Sequence, residues 1–416
     1  MREVPASHRR NLLTLAVILA SPIFAASLLT AYASSGQTYR SPIASSTVVA
    51  SPYLWSLIGN TGANLPAERN AGIQARVLRV SWRDYMPTEN HPNTAYVWSK
   101  RAEIRRLRQA GFQIIVDLGL QDPPPWVHQN YPNSYYVNQF GERYYGDGSI
   151  DNGDANLVFN PTLRSVAQSY LRRLFSDLGT DFAAVRLGGG HWGELTYPPN
   201  RYRASANNYW AFDSNALARS PVQGWIPGES SPSHQARDFL NWYLDSLVGF
   251  QNWQITTVRK SYSGPIMMLY PSWGIRPGQV EEAVVGNLSG ITSAEINGEV
   301  QRGYDFARQI GAISDPGVII TDTWLDAASS GDATGDQRSW SPIKFLASLA
   351  GQHQPSLRLY GENTGHGDAS AMRAAAAQMK RYNLLGMAWY REEELLSGRY
   401  ATLEDYRSTI AASMSH

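Results

Sequence analysis

The chain has 416 residues, of which 43% are hydrophobic, so it can bury a large core. Lys and Arg number 36 and Asp and Glu number 35, and this balance gives no electrostatic basis for binding nucleic acid or an anionic membrane. The absence of cysteine excludes disulfides, cysteine nucleophiles and thiolate metal sites.

The first 33 residues have the pattern of an export signal. A basic start precedes an uncharged, mainly apolar run at 12–33, which ends in the small–x–small sequence Ala31-Tyr32-Ala33. This pattern predicts a cleaved secretory signal peptide and therefore a secreted or extracytoplasmic protein. The alternative is a membrane anchor, because about 20 apolar residues can span a bilayer. The Ser/Thr-rich residues 34–50 are expected to form a linker.

From residue 51 onward, short apolar segments alternate with amphipathic ones. The short segments are rich in Val, Ile, Leu and aromatic residues, as buried parallel strands are. The predicted strands are 53–58, 76–82, 113–118, 183–187, 265–270, 318–323, 357–360 and 384–390. Between them, helical patterns are predicted at 95–110, 161–178, 236–261, 300–310 and 369–382.

Strands that alternate with helices predict a parallel sheet with right-handed crossovers. Eight such units predict that the sheet closes into a (β/α)8 barrel, formed by residues 51–416 as one catalytic domain. The stretch 197–234 is rich in Pro, Ser, Asn and Trp, and it is predicted to be a long loop over the fourth strand.

Two glutamates directly follow predicted strands. The fourth strand leads into GGGHWGE, which ends at Glu194, and the seventh leads into GEN, whose central residue is Glu362. The active sites of (β/α)8 barrels lie on the loops after the strands' carboxyl ends. One such Glu alone would be read as part of a surface ion pair, but two together, each after a glycine, indicate paired carboxyl groups.

A pair of carboxyl groups suits the cleavage of a glycosidic bond. One group protonates the leaving oxygen, and the other attacks the anomeric carbon or activates water. A separation near ~5–5.5 Å predicts retention of configuration, and ~6.5–9.5 Å predicts inversion. Glu194 and Glu362 are therefore the candidate catalytic pair of a glycosidase.

These motifs resemble those of the clan A glycoside hydrolases, over roughly residues 51–390. The segment 75–82 is similar to the second strand of that clan, and the segment beginning DPPPWV at Asp122 is similar to the third-strand loop of family 42 β-galactosidases. The resemblance implies a retaining mechanism with Glu194 as acid/base and Glu362 as nucleophile. It also implies that Arg79 supports the nucleophile.

One segment departs from family 42. That family carries Asn before the acid/base Glu, whereas this chain has Gly193. The sequence GELTYP beginning there looks more like the general-acid segment of β-amylases, which are inverting (β/α)8 enzymes acting on α-glucans. The resemblance therefore leaves both readings open, a retaining β-galactosidase-like enzyme and an inverting β-amylase-like one.

Other side chains near the strand ends are candidates for substrate binding. Tryptophan rings there can stack on sugars, although packing in the core is the alternative for each. Arg79 lies within an apolar strand and needs a carboxylate partner, either Glu362 or another acid such as Asp117. The predicted substrate-binding residues are Arg79, Trp126, His191, Trp192, Trp324, Asn363 and Trp389.

The expected partner is an oligo- or polysaccharide, with no cofactor and no metal. His366 and Asp368 are close together but lack a third ligand at a suitable spacing. The acidic run 392–394 is predicted to be a solvated loop. Two other classes of protein stay open: a non-catalytic carbohydrate-binding barrel, and a surface protein tethered by an uncleaved N-terminal segment. The sequence leaves the oligomeric state open.

Overall fold

A computed structural model of the chain describes residues 51–59, 62–148, 153–231 and 234–414. The predicted signal peptide and linker, residues 1–50, lie outside the described residues. None of the helices within the described part combines the length and the apolarity that crossing a bilayer requires.

Eight parallel strands close into a barrel in which each strand pairs with its neighbours along the chain and the last pairs with the first. The strands are β1 (Leu54–Ile58), β2 (Ala75–Arg79), β3 (Gln113–Asp117), β4 (Ala184–Leu187), β5 (Ile266–Tyr270), β6 (Val318–Asp322), β7 (Arg358–Glu362) and β8 (Gly386–Tyr390). Each predicted strand overlaps one of these, so the predicted (β/α)8 barrel is confirmed.

Side chains along each strand alternate between the barrel interior and the surrounding helices. On β2, Ala75 and Val77 lie in the interior layer, whereas Leu78 packs against the helices. The other members of the interior layer are Ile58, Ile115, Ala184, Met267, Ile319, Tyr360 and Ala388. The next inward positions open into the barrel mouth and are occupied by Arg79, Asp117, Arg186, Glu362 and Tyr390.

The helices surround the barrel and cover its outer face. They are Leu65–Asn70, Trp82–Tyr85, Thr94–Gln109, Pro125–Asn130, Pro161–Leu178, Ser214–Leu217, Gln235–Arg259, Gln279–Val285, Ser293–Ile296, Phe306–Gly311, Pro342–Gln352, Ala369–Arg381, Glu392–Ser397 and Leu403–Met414. Short 3-10 turns occur at His191–Gly193, Ser330–Ala333 and Gln337–Ser339. The helix predicted at 300–310 starts later, because Gly303 has φ +78° and Asp305 caps the new helix through the Arg308 N–H.

The long segment after β4 is folded rather than open. It contains a two-stranded hairpin, Arg201–Tyr202 with Ser205–Ala206, and it packs against the loop after β3. Asn138 Nδ2 donates to Asn208 Oδ1 at 2.8 Å, and the Tyr209 N–H donates to Gln139 Oε1 at 2.8 Å. Hydrogen bonds between the two loops therefore fix one side of the barrel mouth.

The acidic run after β8 is not the solvated loop that was predicted. It begins a short helix, and Glu392 and Glu394 are 0% and 4% exposed. Glu392 is buried because it forms an ion pair with Arg76 on β2, whose guanidinium also contacts Glu68. Two carboxylates thus enclose a buried arginine on the helix side of the barrel.

Candidate active site

A cleft of about 780 Å³ opens at the carboxyl ends of the strands. Both predicted carboxylates and several aromatic and basic side chains line it. The lining residues are Ile58, Arg79, Arg83, Asp84, Asp117, Gln121, Asp122, Arg186, Trp192, Glu194, Thr323, Trp324, Glu362, Asn363, Thr364, Tyr390 and Arg391.

A tight turn after β4 positions Glu194 in the cleft. The Gly190 N–H donates to the Glu194 carbonyl at 2.9 Å, and a side chain at Gly190 would overlap the Thr196 carbonyl oxygen. Gly193, the residue before Glu194, has φ +87°, a conformation that glycine adopts without strain. The glycines therefore let the backbone fold back on itself and place Glu194 in the cleft.

Glu194 has the environment of a proton donor. Burial raises the pKa of its carboxyl group, and this effect outweighs the hydrogen bond that Thr323 Oγ1 donates to Oε1 at 2.7 Å. Because desolvation disfavours the charged form, Glu194 keeps its proton to a higher pH than an exposed glutamate does. A general acid needs this property.

Glu362 is the last residue of β7 and points inward, with 12% of its side chain exposed. Arg186 Nη2 on β4 lies 2.7 Å from Glu362 Oε2. Burial raises the pKa of Glu362 to about 7; Arg186 opposes the rise, whereas the nearby carboxyl groups of Glu194 and Asp117 add to it. The two glutamates thus interact electrostatically within one cleft, and Glu362 titrates near neutral pH.

The structure corrects the expectation for Arg79. Its side chain is exposed on the cleft wall, and the arginine that contacts Glu362 is Arg186. Arg79 and Asp117 are register partners on β2 and β3, and Asp117 and Arg186 are register partners on β3 and β4. The arginine beside Glu362 therefore comes from β4 rather than from β2.

Three predicted binding residues lie outside the cleft lining. Trp126 is 6% exposed and donates from Nε1 to the Met86 carbonyl, and Trp389 is 1% exposed on the helix-facing side of β8. His191 is fully buried beside Tyr144. These expectations are corrected: the side chains pack in the core or behind the loop, where a ligand in the cleft cannot reach them.

Three other predicted residues do line the cleft. Trp192 is 58% exposed with φ +58°, and the Arg302 guanidinium lies 5.9 Å from its ring centroid. Trp324 is partly exposed after β6. Asn363 also borders the cleft, but its amide exchanges hydrogen bonds with the Tyr390 backbone at 2.7 and 2.6 Å. It therefore supports the wall, while the two tryptophans offer ring faces.

Arg186, Thr323 and Tyr390 line the cleft but were not among the predicted site residues. The period-two alternation of strand side chains was the signal that could have found two of them, because Arg186 and Tyr390 each stand two residues after an interior alanine. The same rule places Trp389 on the opposite face from Tyr390. Thr323 carries no comparable local signal, since its role depends on a contact with Glu194.

Within the described ranges, no group of three or more His, Asp or Glu side chains is arranged to hold a metal ion. His366 instead contacts Glu394 at 2.6 Å through Nδ1.

No protein-family model matches the sequence, and no curated protein matches it. Solved structures do match. The catalytic domain of β-amylase from Paenibacillus polymyxa is similar with a TM-score of 0.66 and 15% identity, over 88% of this chain and 99% of that one.

Two β-galactosidases are also similar. A catalytic mutant of a GH42 β-galactosidase from G. stearothermophilus has a TM-score of 0.54 and 11% identity, over 88% of this chain and 57% of that one. The β-galactosidase from the haloarchaeon Halorubrum lacusprofundi has a TM-score of 0.53 and 11% identity, over 87% and 58%. The chain thus spans less than two thirds of these β-galactosidases.

At these low sequence identities, the structural similarity establishes the fold that the proteins share. The chain has the (β/α)8 barrel of these glycoside hydrolases, and the resemblance inferred from the sequence is confirmed at that level.

Proposed function

We propose that the protein is a glycoside hydrolase that cleaves an O-glycosidic bond with Glu194 as acid/base and Glu362 as nucleophile. The observation that supports this best is the placement of both glutamates in one cleft, Glu194 in the loop after β4 and Glu362 at the end of β7. The shared barrel of known glycosidases is consistent with it.

Both glutamates can take the roles that the reaction requires. Glu194 has a raised pKa and can give a proton to the leaving oxygen. Glu362, with Arg186 beside it, can act as a carboxylate when it is ionised. In the retaining course Glu362 attacks the anomeric carbon, and Glu194 then removes a proton from the water that releases the sugar.

The aromatic side chains of the cleft suit a sugar ring. Trp192 and Trp324 come from the loops after β4 and β6, on the side of the mouth where Glu194 lies. Apolar C–H faces of sugars pack on such rings. We propose a β-galactoside as the first substrate class, because of the likeness of the third-strand loop to family 42.

An inverting, β-amylase-like reaction is the second candidate. Two observations favour it: the GELTYP segment beginning at Gly193, and the higher TM-score with the β-amylase catalytic domain, which this chain covers almost completely. In that reaction Glu362 activates water instead of attacking the sugar. The acid role of Glu194 is the same in both courses.

The test is a screen of the purified protein against aryl glycosides, oligosaccharides and polysaccharides, which include β-galactosides and α-glucans. Glu194→Gln and Glu362→Gln should each reduce turnover at least ~10²-fold while the melting temperature stays near that of the parent. The exposed Glu229→Gln serves as the matched control and should remain fully active.

Near-normal turnover in either active-site variant would overturn the assignment. Sugar binding by calorimetry without hydrolysis across the panel would favour the non-catalytic barrel. NMR of the first product's anomeric proton distinguishes retention from inversion.

A further inference from the structure

Arg186 connects the opposite sides of the barrel. It stands on β4, two residues after the interior Ala184, and reaches Glu362 on β7, 176 positions away in sequence. Its side chain is only 10% exposed, and the Nη2–Oε2 distance is 2.7 Å. A hydrogen bond between two charged groups at this distance is short and strong, so it constrains the direction of the carboxylate.

The other arginines of the cleft are oriented toward different groups. Arg83 pairs with Asp122, and Arg391 Nε lies 3.4 Å from Glu394. Arg79 is exposed on the wall. Among the ion pairs of the described residues, the partner of Glu362 is therefore Arg186.

Groups from the neighbouring elements line the cleft that contains Glu362. Glu194 after β4 and Asp117 at the end of β3 are acids that oppose its ionisation. The strands that flank β7 contribute Thr323 and Trp324 after β6 and Tyr390 and Arg391 after β8. Among the cationic side chains that line the cleft, Arg186 is the one that forms an ion pair with the Glu362 carboxylate in the described residues.

We propose that Arg186 is the positioning residue of the catalytic pair, which orients the Glu362 carboxylate and supplies its counter-charge. This inference rests on the proposed function, because it assigns how Glu362 is prepared for its role. It also assigns that task to β4, rather than to the Arg79 position suggested by the family resemblance.

The sign of the pH effect follows from the contact. Arg186 favours the ionised form of Glu362, so its removal raises the pKa of that carboxyl group further. Because the reaction needs Glu362 as a carboxylate, the acidic limb of the pH–rate profile should move to higher pH. An opposite charge at this distance shifts a pKa by roughly 1–3 units, and we expect a displacement in that range.

The experiment compares Arg186→Met, Arg186→Lys and the control Arg79→Met in the full chain. With a substrate from the screen, Arg186→Met should lower kcat at neutral pH more than it raises KM, and the loss should be largest at acidic pH, where Glu362 carries a proton. Arg186→Lys should displace the acidic limb less than Arg186→Met does, because lysine keeps the positive charge but lacks the planar guanidinium group. Arg79→Met should leave that limb in place.

A second readout does not depend on activity. The side-chain carboxyl ¹³C signal of Glu362, assigned through Glu362→Gln, is titrated by NMR in the parent and in the variants. A Glu362 pKa that is unchanged in both Arg186 variants overturns the inference, as does a fall in melting temperature without any change in the profile. If the parent hydrolyses nothing in the panel, the proposed function fails, while the titration still decides whether Arg186 controls Glu362.

Discussion

Two arginines on strands of the same barrel have different surroundings. Arg76 on β2 is 3% exposed and contacts two fully buried carboxylates, those of Glu68 and Glu392. Arg186 on β4 contacts one carboxylate, that of Glu362, at the floor of an open cleft. Both are side chains of strand residues, but one faces the helices and the other faces the barrel interior.

The two ion pairs are expected to have different roles, one in folding and one in the cleft. Glu68 and Glu392 together enclose Arg76 away from the cleft, so that contact is expected to matter for folding. Among the ion pairs of the described residues, Arg186 contacts Glu362 alone, and Glu362 lies in the cleft, where its pKa of about 7 lets it change charge. Four predictions test or refine this comparison.

The largest expected effect is on stability. Arg76→Met leaves two buried carboxylates without their cation, so it should lower the free energy of unfolding by about 3–5 kcal/mol, as removal of one partner of a buried ion pair does. Urea denaturation measures the change. Arg186→Met should cost clearly less, because Glu362 can take up a proton. Equal losses in both variants would remove the distinction.

Glu392→Gln tests the same comparison through the carboxylate partner of Arg76. The substitution keeps the shape but weakens a charge-assisted hydrogen bond to Arg76, so it should lower the free energy of unfolding by about 1–3 kcal/mol. The value of kcat/KM should change little. Glu362→Gln should show the reverse pattern, with activity lost and stability kept. A large loss of activity in folded Glu392→Gln would contradict the structural role.

Asp322 is a buried acid that forms no ion pair within the described part of the chain, although the charge of Arg276 acts on it from a distance. Burial raises its pKa to about 8. The unfolded chain releases this proton near pH 4, so the stability of the native state should fall as the pH rises from about 4 to 8.

Asp322→Asn keeps the acceptor for the Trp324 N–H and removes the titration. Its melting temperature should therefore decline less than that of the parent between pH 5 and pH 8. Parallel curves for the two proteins would show that Asp322 is already ionised in the folded state.

The smallest expected effect is on substrate binding. Trp192 is exposed on the cleft wall, so Trp192→Ala should raise KM roughly 10-fold, which corresponds to about 1.4 kcal/mol of lost contact, without a change in melting temperature. Trp126→Phe is the contrasting core variant and should affect stability rather than KM. An unchanged KM in Trp192→Ala would exclude this ring from the binding surface.

Patterns over a few neighbouring residues were enough to predict most of the fold. All eight strands and the helix Pro161–Leu178 follow from apolar periodicity, and glycines next to Glu194 and Glu362 marked the strand ends that open into the cleft. These features are readable because local chain geometry and burial act over a few residues at a time.

Contacts across the barrel could not be predicted from these local sequence patterns. The partner of Glu362 depends on which side chains of β4 and β7 point inward and on how the closed sheet brings them together. A shift of one residue changes the face, as the buried Trp389 and the cleft-lining Tyr390 show. The local sequence therefore placed the two glutamates at the barrel mouth. Closure of the barrel placed Arg186, rather than Arg79, beside Glu362, because an ion pair requires proximity in space and not in sequence.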